Sequence, residues 1–488
     1  MVIISVALRD KQEIKGRPFA KSNVATLSYF PLFPILELMD WKSYIQGKNV
    51  TQLGLGLLGR GIGDAEFLSR FGANLIVTDL KTETELAESL VRLKHCLHIT
   101  FHLGGHRNED FVGRDFILKA AGAPFDSPFI AQARQSGIPI EMDASLFSKL
   151  APRITLIGVT GTRGKSTVTI LLYEMLKAAG KRVFLGGNIK DTATLPLLEK
   201  VQEGDYVVLE LDSWQLQGFG ESKISPNIAV FTTFLPDHMN YYKGDMDMYF
   251  NDKANIFRFQ KKGDVLVVGE DIAPARTWDT EGEVFIARRD DVRRELTGAM
   301  VGLMGEHNQL NAACAVAAAE ALKLPKSAVN TVLHTFRGLA GRLELRNMIS
   351  GVAYYNDSNS TTPDAAIAAL RTIGSQRKKN IILIMGGTDK QLDMQPLASE
   401  IPKWCKAVVL LSENGTEKFK PLLESATKQG VAVVECDTLP ACVAEATSRA
   451  EKGDNVLFSP AFASFGRWFK NEYDRGSQFN RLIEGMIS

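Results

Sequence analysis

GVTGTRGKST, residues 158–167, is the run whose flanks decide the fold. Before it, ITLIGV (154–159) is apolar and β-branched and reads as a buried strand. After it, TVTILLYEMLKAAG has helical spacing and ends at Gly180. A strand, a glycine loop closing on Gly-Lys-Ser and a helix make a phosphate cradle. Loop N–H groups and the helix N-terminus point at the anion, Lys165 supplies charge, and the Ser166 hydroxyl can ligate Mg²⁺. The run therefore predicts binding of a nucleoside triphosphate. The general Gly-x4-Gly-Lys-Ser spacing needs glycine where this chain has Val159; Gly158 stands one place early, so the loop is of the TGTxGKS form. A chance Gly-Lys-Ser in an ordinary turn is the bland alternative, and the strand and helix on either side argue against it.

The 488 residues are too many for one core and suggest about three domains. Basic and acidic residues nearly cancel, 57 against 56, so there is no broad basic field and nucleic acid is not an expected partner. Cys96, Cys314, Cys405, Cys436 and Cys442 are scattered without a Cys-x-x-Cys, which points to a reducing compartment and away from a disulfide scaffold. The apolar stretch TLSYFPLFPILELM (26–39) is short and broken by Pro31 and Pro34, so no membrane insertion is expected. Residues 1–45 read as an extension of unassigned role, with Met39 as an alternative start of translation.

From residue 48 onward, short apolar β runs alternate with helical stretches. This predicts an α/β fold with parallel sheets and helices on both faces. Three units are expected: 46–148, Rossmann-like; 149–340, a central P-loop-type ATPase sheet with helices; and 341–488, again Rossmann-like. In the first, Gly54, Gly56 and Gly59 suggest a dinucleotide-type turn, with Asp79 about 20 residues on in the place of a ribose-binding acid. A tight turn that binds nothing is the alternative. KAAGAPFDSP (119–128) offers further backbone N–H groups to the same crevice. In the second, VVLELDSWQL (207–216) reads as a strand delivering Glu210, and NIAVFTTFLPDHM (227–239) as one delivering Asp237 and His238. In the third, the loops holding Asp357 to Thr362, Lys390, and Ser459 with Ser464 all follow strands, where ligands bind in open α/β sheets. Thr362 before Pro363 also reads as an ordinary helix N-cap.

Ser166 and Glu210 are the natural Mg²⁺ donors. His307, Asn308 and Asn311 share the first turn of an Ala-rich helix, where amides can read a base edge or simply cap. Histidines 95, 98, 102 and 106 invite a zinc reading, but the HITFHL run looks like a strand that would split them.

Taken in order, TGTRGKST, GGNI, ELDSWQL, DHM, GEHNQLNAACA, GRLE, NDSNSTTPDA, GGTDK and SPAFASFGRWFKNEYDRG resemble the Mur ligase family over roughly residues 48–488. The DSxSTTP, GGxDK and SPAxASF loops are similar to its glutamate-adding branch. The resemblance implies a cytoplasmic, monomeric, ATP-dependent ligase of cell-wall peptidoglycan synthesis, joining D-glutamate to UDP-N-acetylmuramoyl-L-alanine through an acyl phosphate. A ligase for L-glutamate, or a nucleotide-binding homologue without catalysis, are the other readings. It also implies residue roles. Leu57, Leu58, Asp79, Gly122 and Ala123 would hold the UDP group. Gly161, Thr162, Gly164, Lys165, Ser166 and Thr167 would cradle the ATP phosphates. Asn308, Asn311, Arg342 and Asp357 would meet the rest of ATP, and Asn188 nucleotide or substrate. Glu210, His238 and a carbamylated Lys253 would join Ser166 around two Mg²⁺ ions. Lys165, Glu210, His238 and Lys253 would be the catalytic set, and Thr361, Lys390 and Ser464 would orient glutamate. The chain departs from the family pattern at Asn359, at Arg163 and around residues 466–473; all but Arg163 are expected near the amino-acid pocket.

Overall fold

A computed structural model describes residues 40–56, 59–189, 192–293, 303–464 and 466–486. The extension through residue 39, and with it Leu57 and Leu58, lies outside these residues. Among them the strands form three sheets in chain order. The first has five parallel strands, with Asn49–Leu53 at the centre, Asn74–Asp79 and Ile99–Leu103 on one side, and Phe116–Lys119 and Ile140–Glu141 on the other. The short helix Trp41–Ile45, which the sequence reading leaves in the extension, packs onto this sheet: Ile45 is fully buried and Trp41 stacks on Phe67.

The second sheet has six parallel strands, ordered Glu283–Ala287, Val265–Gly269, Ile228–Phe231, Thr155–Thr160, Tyr206–Glu210 and Val183–Gly187. The near-continuous Val, Ile and Leu runs of the four inner strands follow from burial on both faces, whereas the edge strand Glu283–Ala287 leaves Val284, Phe285 and Ile286 exposed. One face packs under helices Lys165–Ala178, Glu306–Ala321 and Lys326–Thr335. The other shares an apolar core with the first sheet through Leu195, Leu197 and Leu198.

The third sheet runs Glu344–Ile349, Val352–Asn356, Asn455–Phe458, Ile381–Met385, Cys405–Leu411 and Ala432–Cys436. Its first pair is antiparallel and the others are parallel. The expectation of parallel sheets misses the strand Glu344–Ile349, whose residues alternate only weakly in burial on an open edge.

Two predicted strands are shorter than expected. Tyr206–Glu210 stops at Glu210, because Asp212 caps the helix Ser213–Ser222 in a capping box with Gln215. Ile228–Phe231 stops well before Asp237 and His238, which ride on an irregular segment beyond it, with His238 left-handed at φ 55°. All five cysteines are free, and among the described residues no helix is long and apolar enough to cross a membrane.

The offset glycine is explained by packing. Gly158 lies inside the strand, and a Cβ there would sit 2.5 Å from Pro226 Cγ and 3.2 Å from Leu211 Cδ1. It serves the sheet and not the phosphate loop. Gly158→Ala should therefore cost about 1–3 kcal/mol in chemical denaturation through overpacking, with the dissociation constant for ADP unchanged.

Candidate active site

The loop between Thr160 and Lys165 is shaped by two left-handed glycines, Gly161 at φ 140° and Gly164 at φ 86°. Neither has room for a side chain. A Cβ on Gly161 would lie 2.0 Å from Thr232 Oγ1, and one on Gly164 would lie 2.1 Å from Asn311 Oδ1. The loop is stitched to the neighbouring strand's exit: Thr162 N–H donates to Thr233 O at 2.8 Å, Arg163 N–H to Thr233 Oγ1 at 2.8 Å, and Thr162 Oγ1 to Leu235 O at 3.0 Å. Gly164 caps the helix Lys165–Ala178 without a side-chain bond, so Ser166 and Thr167 fall in its first turn, where free N–H groups and the helix dipole favour an anion.

Two lysines converge here. Lys165 Nζ donates to Gly161 O at 3.0 Å and Thr162 O at 3.1 Å. Burial lowers its proton affinity, partly opposed by the charge of Glu210. Lys253, from the helix Met246–Ala254, is 1 % exposed. Its Nζ donates to Gly161 O at 3.1 Å and lies 4.9 Å from the Tyr249 ring centroid. Burial first, and the nearby Lys165 charge second, push the Lys253 amine well below the ordinary lysine range. Glu210 is buried at its strand end, and its carboxylate has no hydrogen-bond donor among the described residues. The Glu210 carbonyl accepts from Asn188 N–H at 2.7 Å, which fixes the loop at Asn188 beside it.

His238 packs on Trp214 with ring centroids 4.6 Å apart. Burial lowers its pKa to about 4 against the opposing pull of Asp237, so the imidazole is neutral at pH 7 and able to ligate. Burial alone would raise the Asp237 carboxyl; the Arg163 guanidinium and the Lys390 ammonium outweigh it and hold it below the usual range.

The three loops of the third sheet meet as expected. Thr388 and Ala463 exchange backbone bonds, and Ala461 N–H donates to Ser360 O at 2.9 Å. Asp357 accepts from Ser459 Oγ at 2.8 Å and Leu343 N–H at 2.9 Å, and burial raises it to about 7 against those bonds. Lys390 Nζ reaches Thr361 Oγ1 at 3.4 Å. Ser464 Oγ donates to Glu472 Oε2 at 3.1 Å. Thr362 is the N-cap residue of Pro363–Ile373, yet its hydroxyl caps nothing and instead accepts from Arg163 Nη2. The capping explanation thus fails for this side chain.

Arm-like contacts carry these loops to the phosphate loop. Arg342 Nη2 donates to Ser166 Oγ at 3.0 Å. Arg163 joins Asp237 and Asp364, both at 3.0 Å. The expectation that Arg163 stands apart from the amino-acid loops is therefore wrong: the side chain is long enough to leave the phosphate loop and reach them. Asn311 Nδ2 donates to Asn308 Oδ1 at 3.0 Å, while Asn308 Nδ2 donates to Met304 O at 3.0 Å; the helix start has no side-chain cap, so the capping alternative does not account for these amides.

On the first sheet, Asp79 accepts from the N–H groups of Leu55 at 2.9 Å and Gly56 at 3.2 Å. It shapes the glycine turn that leads to helix Arg60–Arg70. Gly122 stands with open space around it, and Ala123 O accepts from Lys119 Nζ at 2.6 Å. Lys119 is buried, and burial lowers it to about 8. Sequence reasoning missed Lys119, Trp214, Asp364 and the buried Arg475, which donates to Ser358 O and Phe462 O. For Lys119, a charged residue closing an apolar strand was a usable signal; Asp364 and Arg475 lie within the quoted runs NDSNSTTPDA and SPAFASFGRWFKNEYDRG, which gave no sign of their partners. Three of the four histidines take separate partners, His95 on Glu66, His102 on Asp110 and His106 on Thr78. Among the described residues, no group of three or more His, Cys, Asp or Glu side chains is arranged for a metal.

Comparison with known proteins agrees with this architecture. Residues 159–288 match the Mur ligase middle domain, and residues 341–462 match the Mur ligase glutamate ligase domain. The chain is 36% identical over 470 residues to the UDP-N-acetylmuramoylalanine–D-glutamate ligase of Roseiflexus sp. (strain RS-1), covering 90% of this chain and 99% of the relative. It is 32% identical over 479 residues to the enzyme of the same name from Acetivibrio thermocellus, covering 92% and 99%. Among solved structures, the UDP-N-acetylmuramate–alanine ligase of Thermotoga maritima shares the fold, with a TM-score of 0.56, 20% identity, and 90% and 100% of the two chains covered. Full-length similarity to these relatives and the two domain matches give one answer: the chain belongs to the Mur ligase family.

Proposed function

We propose that this protein is an ATP-dependent amide ligase that adds D-glutamate to UDP-N-acetylmuramoyl-L-alanine in peptidoglycan precursor synthesis. The observation that carries the reading is the meeting of a helix start with free N–H groups, a half-buried and a buried lysine, and a buried carboxylate with loops from the third sheet, in a chain related along most of its length to ligases of that name. ATP lies with its phosphates on Gly161 to Thr167, and Asn308, Asn311, Arg342 and Asp357 contact the rest of it. The first sheet's turns, including Asp79, Gly122 and Ala123, take the uridine nucleotide, and Asn188 lies between. Thr361, Lys390 and Ser464 orient glutamate. The reaction draws on ATP and a nucleotide-linked sugar, which places it in the cytoplasm, and the chain works as a monomer.

The donor set fits Mg²⁺ chemically. Glu210 offers a buried carboxylate with no donor among the described residues, Ser166 a hydroxyl and His238 a neutral imidazole. Lys253 completes the set only as a carbamate, and its buried, easily deprotonated amine is the form that adds CO₂. Bound Mg²⁺ would neutralise charge spreading over the transferred phosphoryl oxygens. In the reaction the alanyl carboxylate attacks the γ-phosphorus of ATP and ADP leaves. The glutamate amine then attacks the acyl phosphate carbonyl, and phosphate leaves through a tetrahedral intermediate. Lys165 swings from the loop carbonyls to the phosphates and holds them in line.

Phosphate release should require UDP-N-acetylmuramoyl-L-alanine together with D-glutamate in a panel of D- and L-amino acids; a response to L-glutamate alone would favour the other ligase reading, and none at all a non-catalytic homologue. Lys165→Ala should lower turnover by on the order of 10²–10³-fold, with near-normal rates removing the loop from the ATP site. Lys253→Ala should lose activity that formate partly restores, and a fully active variant would remove the carbamate.

A further inference from the structure

The side chain of Arg163 has no part in the roles assigned above, yet it is the most heavily engaged group between the phosphate loop and the third sheet. Its Nη1 donates to Asp237 Oδ2 at 3.0 Å. Its other edge meets Asp364, with Nε on Oδ2 at 3.0 Å and Nη2 on Oδ1 at 3.4 Å, while Nη2 also donates to the Thr362 hydroxyl. The second oxygen of Asp237 accepts from Lys390 Nζ at 3.3 Å. Two cations and two carboxylates therefore form one neutral chain, Asp364–Arg163–Asp237–Lys390, whose far end touches Thr361.

The members of this chain are not equally free. Arg163 is gripped on two edges by two carboxylates. Lys390 is a single-point ammonium on a flexible stem. The Asp237 side chain is only 8% exposed, so it cannot be left without a cation. We propose that Arg163 is a positioning residue for the incoming amino acid. By neutralising Asp237 it releases Lys390 to a substrate carboxylate, and by holding Thr362 and Asp364 it sets the loop that carries Thr361. Without Arg163, Asp237 would retain Lys390 as its counter-ion and compete with the substrate. This rests on the reading that Lys390 and Thr361 meet glutamate.

The test measures phosphate release for the intact protein and for Arg163→Ala, Asp364→Ala and the double variant Arg163→Ala/Asp237→Asn, with ADP affinity and melting temperature alongside. Arg163→Ala should raise the KM for glutamate on the order of tenfold, the scale of losing one charge-assisted contact. Asp364→Ala, which lies outside the nucleotide site, should raise it in the same direction with kcat and ADP affinity held. Replacing Asp237 in the Arg163→Ala background should recover much of the lost glutamate affinity, because no buried carboxylate then holds Lys390. A purely structural role would instead lower the melting temperature and give no such recovery. An unmoved KM for glutamate in both single variants, or a double variant no better than Arg163→Ala, would overturn the proposal while the intact enzyme remained active. Failure of the intact protein to release phosphate with any amino acid would remove the functional reading, and this inference with it.

Discussion

The site depends on how closely bare backbone can approach its neighbours at two positions. At Gly161 and Gly164 the chain runs so near Thr232 and Asn311 that any side chain would collide. That closeness lets Thr162 and Arg163 bond to the exit of the adjacent strand. It also turns the Gly161 carbonyl toward both Lys165 and Lys253. The Gly161 carbonyl thus holds both lysine amines beside the start of the helix Lys165–Ala178. The cost of gathering two cations in a poorly solvated place is met by lowering their proton affinity, most strongly at Lys253.

The contacts between the second and third sheets follow the same logic of charge kept near neutrality. Arg163, Asp237, Lys390 and Asp364 alternate in sign. Arg475, buried beneath the loops of the third sheet, spends donors on the carbonyls of Ser358 and Phe462, and burial lowers it to about 10. A buried guanidinium that ties two loops by backbone carbonyls fixes their separation whatever their side chains.

Much of this was legible in the sequence because it is local. The strand, glycine loop and helix around residues 155–178 sit side by side in the chain, and their periods announce them. The parallel sheets follow from β runs spaced by helices. What could not be read was set by long-range geometry. The strand end at Glu210 depended on a capping box, and Asp237 and His238 lie on an irregular segment well past the end of their strand at Phe231. The antiparallel strand Glu344–Ile349 lies on an open edge where alternation is weak. Thr362 looked like a cap from its neighbour Pro363, but an arginine almost 200 residues away in sequence claims its hydroxyl. Side chains that act across sheets leave no periodic trace.

The connection into the third sheet has one more consequence. Gly338, Gly341 and Leu343 are all left-handed, so the chain makes an elbow immediately before the strand Glu344–Ile349. Arg342 sits inside that elbow with its guanidinium on Ser166. Movement at the elbow and loss of that contact are then coupled, because the pivot itself carries the residue that makes it.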